Sequence, residues 1–135
     1  MPPAEHMQIG EVARRTGLSL RTIRYYGEVG LVEPSARSRG GFRLYTEEDV
    51  DRLQLIKRMK PLEFSLEETR ELLETLDRLG EAGVGPEERD ELSGRLDGFE
   101  AAVADRCRAL RGKLAMAEEF SERLRERRNR PVPGT

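Results

Sequence analysis

Apolar residues in the first eighty positions recur mostly at helical spacing, in short runs separated by punctuation residues. From Gln8 the pattern is helical, with Ile9, Val12 and Ala13 on one face and Gly17 as the stop signal. Ser19 suits the N-cap of a second helix, 20–28, which ends near Gly30. The segment Thr16-Gly17-Leu18-Ser19 between them has the length and the glycine of a helix-turn-helix connection. Residues 36–45 then change character: Gly40 and Gly41 sit between short segments rich in Arg and aromatics, which predicts a β-hairpin. Thr46-Glu-Glu-Asp49 resembles a capping box with Asp in the Glu position, opening a helix with Val50, Leu53, Ile56 and Lys57 at helical spacing. Pro61 closes that helix. Ser65-Leu-Glu-Glu68 is a second capping box, before a helix carrying Leu66, Thr69, Leu72, Leu73, Leu76 and Leu79.

Gly80, Gly83 and Gly85 make a linker, 80–86, and Pro86 stands where a further helix would begin. The pattern from 87 to 128 is one long helix, interrupted only by the isolated Gly94, Gly98 and Gly112. Its apolar positions are Leu92, Leu96, Phe99, Val103, Cys107, Leu110, Leu114, Ala117 and Leu124, spaced mostly by three and four. Such a narrow seam on a helix of about 42 residues, roughly 60 Å, needs a second helix of similar length. The chain offers no other, so a homodimeric coiled coil is the simplest partner. Residues 1–6 read as a flexible leader, in which His6 is idle, and 129–135 as a disordered tail. The predicted fold is therefore mostly α, with a winged helix-turn-helix head over 7–79, a small β-hairpin wing and a long dimerisation helix.

Composition narrows the chemistry. Of 135 residues 37% are charged and 36% hydrophobic, with one Cys, one His and no Trp. A single Cys and a single His leave no internal disulfide, zinc knuckle or Cys–His catalytic pair, so no metal and no cofactor is expected. No run approaches the ~18 apolar residues of a membrane span, and the N-terminus lacks the apolar core of a secretory signal, so a cytoplasmic, nucleoid-associated protein is expected. The net charge of −2 is uneven: residues 1–60 carry 11 Lys/Arg against 8 Asp/Glu, residues 61–135 carry 13 against 18. The stretch 14–45 holds seven Arg against Glu28 and Glu33. This is an anion-binding head on an acidic helical scaffold.

At 100° per residue, helix 20–28 turns Leu20, Ile23 and Gly27 to the core and Arg21, Thr22 and Tyr25 to the other side, with Arg24 and Tyr26 at the borders. A short helix displaying Arg, Thr and Tyr suits the DNA major groove. Arg reads guanine bidentately, hydroxyls bond phosphate, and the helix N-terminus attracts a phosphate. Arg37, Arg39 and Arg43 around Gly40-Gly41, with Phe42 and Tyr45, read as a wing whose glycines let backbone approach a phosphate. One of the two aromatics should pin the hairpin and the other reach DNA. The candidate DNA-binding set is Arg21, Thr22, Arg24, Tyr25, Tyr26, Arg37, Gly41, Phe42, Arg43 and Tyr45.

These residues fall in an ordered series: Ile9-Gly-Glu-Val-Ala13, Thr16-Gly-Leu-Ser19, Arg21-Thr-Ile-Arg-Tyr-Tyr26, Gly30-Leu-Val-Glu-Pro34, Gly41-Phe-Arg43, Tyr45 and Phe64-Ser-Leu-Glu-Glu68. Over residues 7–79 the series resembles the MerR family of bacterial transcription regulators. Met7 aligns with the usual start. Two positions depart: Glu63 stands where the family usually has Gly, which predicts an altered or strained turn, and Gly27 replaces a usual acidic residue, which should weaken the end of the recognition helix. The resemblance implies an antiparallel coiled-coil homodimer on double-stranded DNA, a pseudo-palindromic operator between overlong-spaced promoter elements. Bending and untwisting that spacer would realign the elements for RNA polymerase, a readout through DNA shape.

Metal-sensing members of the family carry paired Cys near the end of the dimerisation helix, and iron–sulfur members carry four. Cys107 alone argues against both, and a small seam hydrophobe is its default role. In an antiparallel pair the midpoint of 86–128 lies near the two-fold axis, which makes an intersubunit Cys107 disulfide a minority alternative. Two rival functions are an architectural, excisionase-like DNA-bending protein and an enzyme. The long helix argues against the first. Carboxylates spread along solvated helix faces, with no partner His or Cys, argue against the second. The effector, the operator sequence and the choice between activation and repression are not written in the sequence.

Overall fold

The computed structural model describes residues 6–134, and the chain divides into a first unit ending at Leu92 and a second beginning at Ser93. The first unit runs β1 (Met7–Gln8), α1 (Ile9–Thr16), α2 (Leu20–Glu28), β2 (Ala36–Arg37), β3 (Arg43–Tyr45), α3 (Glu47–Met59), a 3₁₀ turn (Lys60–Leu62) and α4 (Leu66–Leu79). A last helix, α5 (Pro86–Arg128), begins there and makes up most of the second unit. The predicted leader lies, apart from His6, outside the described residues. Residues 129–134 form turns and no regular element.

Local chemistry sets these boundaries. Gly17 closes α1 at φ 75°, a left-handed conformation that costs a side-chain-bearing residue energy, and its N–H donates to the Ala13 carbonyl. Ser19 opens α2, its Oγ accepting from the Thr22 N–H. Both predicted capping boxes form. Thr46 and Asp49 exchange side-chain-to-backbone bonds at the start of α3, and Ser65 and Glu68 do so at the start of α4. Asp49 thus stands in for Glu and also accepts from Ser35 Oγ at 2.6 Å, which fastens the chain entering the wing to α3.

The sheet is antiparallel in the order β1-β3-β2, with Met7 opposite Tyr45, Gln8 opposite Leu44, Ala36 opposite Leu44 and Arg37 opposite Arg43. The first strand corrects the sequence reading, which began a helix at Gln8. Two residues are too few to show an alternating pattern, and only pairing with β3 defines them. Between sheet and helices lies one core: Val12, Ile23, Tyr26, Leu31, Val32, Tyr45, Val50, Leu53, Ile56 and Leu73. Polar braces fix α1 to α3 around it. Arg15 grips Glu47 through two bonds of 2.5 and 2.7 Å, and Lys57 Nζ donates to the Thr16 carbonyl at 2.7 Å. The guanidinium holds the Glu47 carboxyl below its ordinary pKa.

Glu63 has φ 59° and ψ 34°, the one non-glycine residue at positive φ among the described residues. The turn after α3 is therefore strained at the position where the resemblance predicts glycine. Glu63 is exposed, so no packing is at stake in replacing it. Glu63→Gly should raise the free energy of unfolding by about 1 kcal/mol in denaturant titration. A lower midpoint would show that this backbone is unstrained.

Candidate nucleic-acid interface

Helix α2 is oriented by what it buries. Ile23 is fully buried and Tyr26 is 6% exposed, so the opposite face, with Arg21, Arg24 and Tyr25, must point outward. Two assignments change. Leu20, expected on the core side, is 40% exposed, and Tyr26 fills the core in its place. Burial pushes the Tyr26 phenol up in pKa, and its ring packs at 5.8 Å from that of Tyr25. Tyr26 therefore belongs mainly to the core and offers little surface to a ligand. Thr22 is half-buried and engaged in the cap, where its Oγ1 accepts from Ser19 Oγ at 2.9 Å.

The wing is shaped by a tight turn over residues 38–42. Ser38 N–H donates to the Phe42 carbonyl, Gly41 N–H to the Ser38 carbonyl, and Phe42 N–H to Ser38 Oγ. Gly41 lies at φ 80°, and Arg37 Nη1 donates to its carbonyl at 3.0 Å. A Cβ on Gly40 would stand 3.1 Å from the Phe42 ring, so the glycine makes room for the aromatic. Phe42 is 62% exposed whereas Tyr45 is fully buried. One aromatic pins the hairpin and the other stays outside, and Tyr45 must be struck from the surface set. Its β-strand neighbours turn it inward opposite Met7.

Helix α2 and the wing meet in a cleft of about 220 Å³ lined by Gln8, Ile9, Arg24, Arg37, Gly41, Phe42 and Arg43. Five of the predicted residues come together there, joined by Gln8 and Ile9, which sequence reasoning missed because β1 was missed. Gln8 is the N-cap of α1 but makes no side-chain cap hydrogen bond. Charge pairing sorts the arginines of this unit. Arg14, Arg15, Arg52, Arg70 and Arg78 all have carboxylate partners. Among the described residues, Arg21, Arg24, Arg37, Arg39 and Arg43 have none, and neither do Arg58, which donates to the Gln54 carbonyl, and Arg89 at the start of α5. Arg43 Nη1 is buried with no hydrogen-bond partner, and a Cβ on Gly27 would lie 4.0 Å from it. Glycine at position 27 thus places no side chain beside this guanidinium. Helix α2 nonetheless continues through Gly27 to Glu28.

In α5, Leu92 is buried within the first unit, and the Arg78–Glu88 ion pair fastens the first turn of this helix to α4. It leaves the list of seam residues free for a partner. In the second unit Leu96, Phe99 and Cys107 are half-buried, and Val103, Leu110, Leu114, Ala117 and Leu124 are exposed. Phe120, 62% exposed, lies on the same stripe, an addition to the seam residues the sequence pattern predicts.

A winged helix-turn-helix with a cationic helix and wing defines a transcription-regulator head. The family model described as "MerR HTH family regulatory protein" matches residues 7–76. The chain is 35% identical over 127 residues to the HTH-type transcriptional regulator YfmP of Bacillus subtilis, covering 89% of each. It is 48% identical over 66 residues to the HTH-type transcriptional regulator ZntR of Escherichia coli, covering 49% of this chain and 47% of that one. A MerR-family regulator structure from Bacillus cereus superposes with a TM-score of 0.55 at 27% identity, over 95% of this chain and 87% of that one. HiNmlR, a MerR-family regulator lacking the sensor domain and bound to promoter DNA, shares the fold at a TM-score of 0.63 and 22% identity, over 87% and 80%. The protein belongs to the MerR family and is a DNA-binding transcription regulator.

The buried Tyr45 hydroxyl has no hydrogen-bond partner among the described residues. Tyr45→Phe should therefore leave stability unchanged or raise it by about 1 kcal/mol, with duplex affinity within about twofold of wild type by fluorescence anisotropy. A larger loss of affinity would return Tyr45 to the binding surface.

Proposed function

We propose that two copies, joined through α5, place their α2 helices in successive major grooves of a pseudo-palindromic promoter operator. The observation that carries this reading is the unpaired arginine set. Arg21 and Arg24 on α2, with Arg37, Arg39 and Arg43 on the wing, are cations without a carboxylate partner gathered on these two elements. Lys57 and Arg58 of α3, also without one, are instead bonded to the Thr16 and Gln54 carbonyls. Arg21, Arg24 and Tyr25 face the groove, Thr22 fixes the helix start, and Arg37, Arg43, Gly41 and Phe42 hold the flanking backbone.

The dimer reading rests on the exposed stripe from Leu96 to Leu124 and on a charge gradient along α5. Residues 86–107 carry seven Asp/Glu against three Arg, whereas residues 108–128 carry seven Lys/Arg against four Glu. An antiparallel pair lays each acidic half beside a basic half, and a parallel pair would set like against like. Individual exposed pairs contribute little, but the sum of the gradient chooses the direction. With one operator gripped at two points, the dimer would bend and untwist the promoter spacer and so set its use by RNA polymerase. Among the described residues no helix is long and apolar enough to cross a membrane, in keeping with work on DNA in the cytoplasm.

Arg21→Ala should cost about 1–3 kcal/mol on the preferred duplex and much less on random DNA. Arg39→Ala should weaken both alike and reduce the salt dependence by about one counterion. Equal effects of both changes on both duplexes would refute this division of roles. Leu114→Asp buries a charge in the proposed seam and should yield a monomer by analytical ultracentrifugation, with its helix content kept. A dimer that persists would place the contact elsewhere.

A further inference from the structure

We propose that Arg52 and Arg70 are positioning residues that clamp the turn leaving the recognition helix, residues 29–31, and, with Asp77, tie the orientation of that helix to α4. The inference rests on the reading of α2 as the helix that enters the groove. The last carbonyls of α2 are met within the backbone: Tyr25 by the Val29 N–H, Tyr26 by the Leu31 and Val32 N–H groups, and Gly27 by the Gly30 N–H. The helix C-terminus nevertheless stays partially negative, which a nearby cation offsets. Every other α-helix described supplies that cation itself: Arg14 and Arg15 in α1, Lys57 and Arg58 in α3, Arg78 in α4, and Arg125, Arg127 and Arg128 in α5. Helix α2 has no basic residue in its last turn.

Its cations come from outside. Arg70 of α4 donates from Nη2 to the Val29 carbonyl at 2.7 Å, and Arg52 of α3 donates from Nη2 to the Leu31 carbonyl at 3.1 Å. These carbonyls flank Gly30, whose φ of 76° turns the chain out of α2. Arg52 is in turn held by Asp77 of α4, with Nη1 at 2.5 Å from Oδ1. So α4 grips the end of α2 twice, directly through Arg70 and indirectly through Asp77 and Arg52. The grips are 7 residues apart on α4 and resist both translation and rotation. Within the first unit a displacement of α4 is therefore passed to the helix that reads DNA, while the wing is held separately through Ser35 and Asp49.

The test uses the full-length protein and the duplex it selects from a random pool, beside an unselected duplex, well below each variant's melting temperature. Arg70→Ala should lower the ratio of selected to unselected affinity by about tenfold, as the loss of one base contact would. Asp77→Asn, which leaves the Leu31 bond in place, should lower it by about threefold. Arg70→Lys keeps a donor and a charge and should recover most of the ratio. The salt dependence should stay constant, because no phosphate contact is removed. Asp77 is 55% exposed, so Asp77→Asn carries the test if Arg70→Ala does not fold. An unchanged ratio in both variants, with only a lower melting temperature, overturns the inference and leaves the DNA-binding function standing. A wild-type protein that selects no duplex overturns both.

Discussion

The burial of one side of a nine-residue helix governs the rest of this molecule. With Ile23 and Tyr26 committed to the core, the 3.6-residue period leaves no choice about where Arg21, Arg24 and Tyr25 point. That commitment depends on a fixed distance and angle between α1 and α2, which the Gly17 turn and the Ser19 cap define. The Arg15–Glu47 and Lys57–Thr16 braces then hold α1 on α3. Each of these interactions is modest alone. Their joint effect is a reading surface whose side chains are set by the scaffold and not by the ligand.

Charge allocation follows the same logic. Arginines whose task is internal are neutralised by carboxylates or carbonyls, and those on the outer faces of α2 and the wing are left for an anion. A net charge of −2 conceals this, because the acidic surplus lies beyond residue 60. The cationic head and the polarised rod are thus separate devices. One supplies attraction to phosphate, and the other would supply, in the dimer we propose, a preferred direction for a second copy.

Much of the fold is legible in the sequence, because its signals are local. Gly17, Ser19, Thr46 with Asp49, Ser65 with Glu68, and Pro86 each mark a helix end through a bond made within a few residues. Glu63 announces its strain by occupying a position that favours glycine. The misread features are those decided at a distance. Met7 and Gln8 become a strand only because Tyr45 and Leu44 lie opposite. Tyr26 and Leu20 both stand near the boundary of the buried arc of α2, and tertiary packing chooses the tyrosine. Tyr45 looks like a wing aromatic until the alternation of β3 turns it inward, and Leu92 joins the seam on spacing yet is claimed by the first unit. The borrowed cations just beyond α2 have no local signature, since Arg52 and Arg70 lie more than twenty residues away from the carbonyls they bond.

The central claim is that paired heads grip one face of a duplex at two equivalent points. Hydroxyl-radical footprinting on the selected duplex tests it most directly. Two protected segments related by two-fold symmetry, with centres about one helical turn or a whole multiple of it apart, are the result this account requires. A single protected segment without symmetry, or uniform weak protection along the duplex, would contradict it.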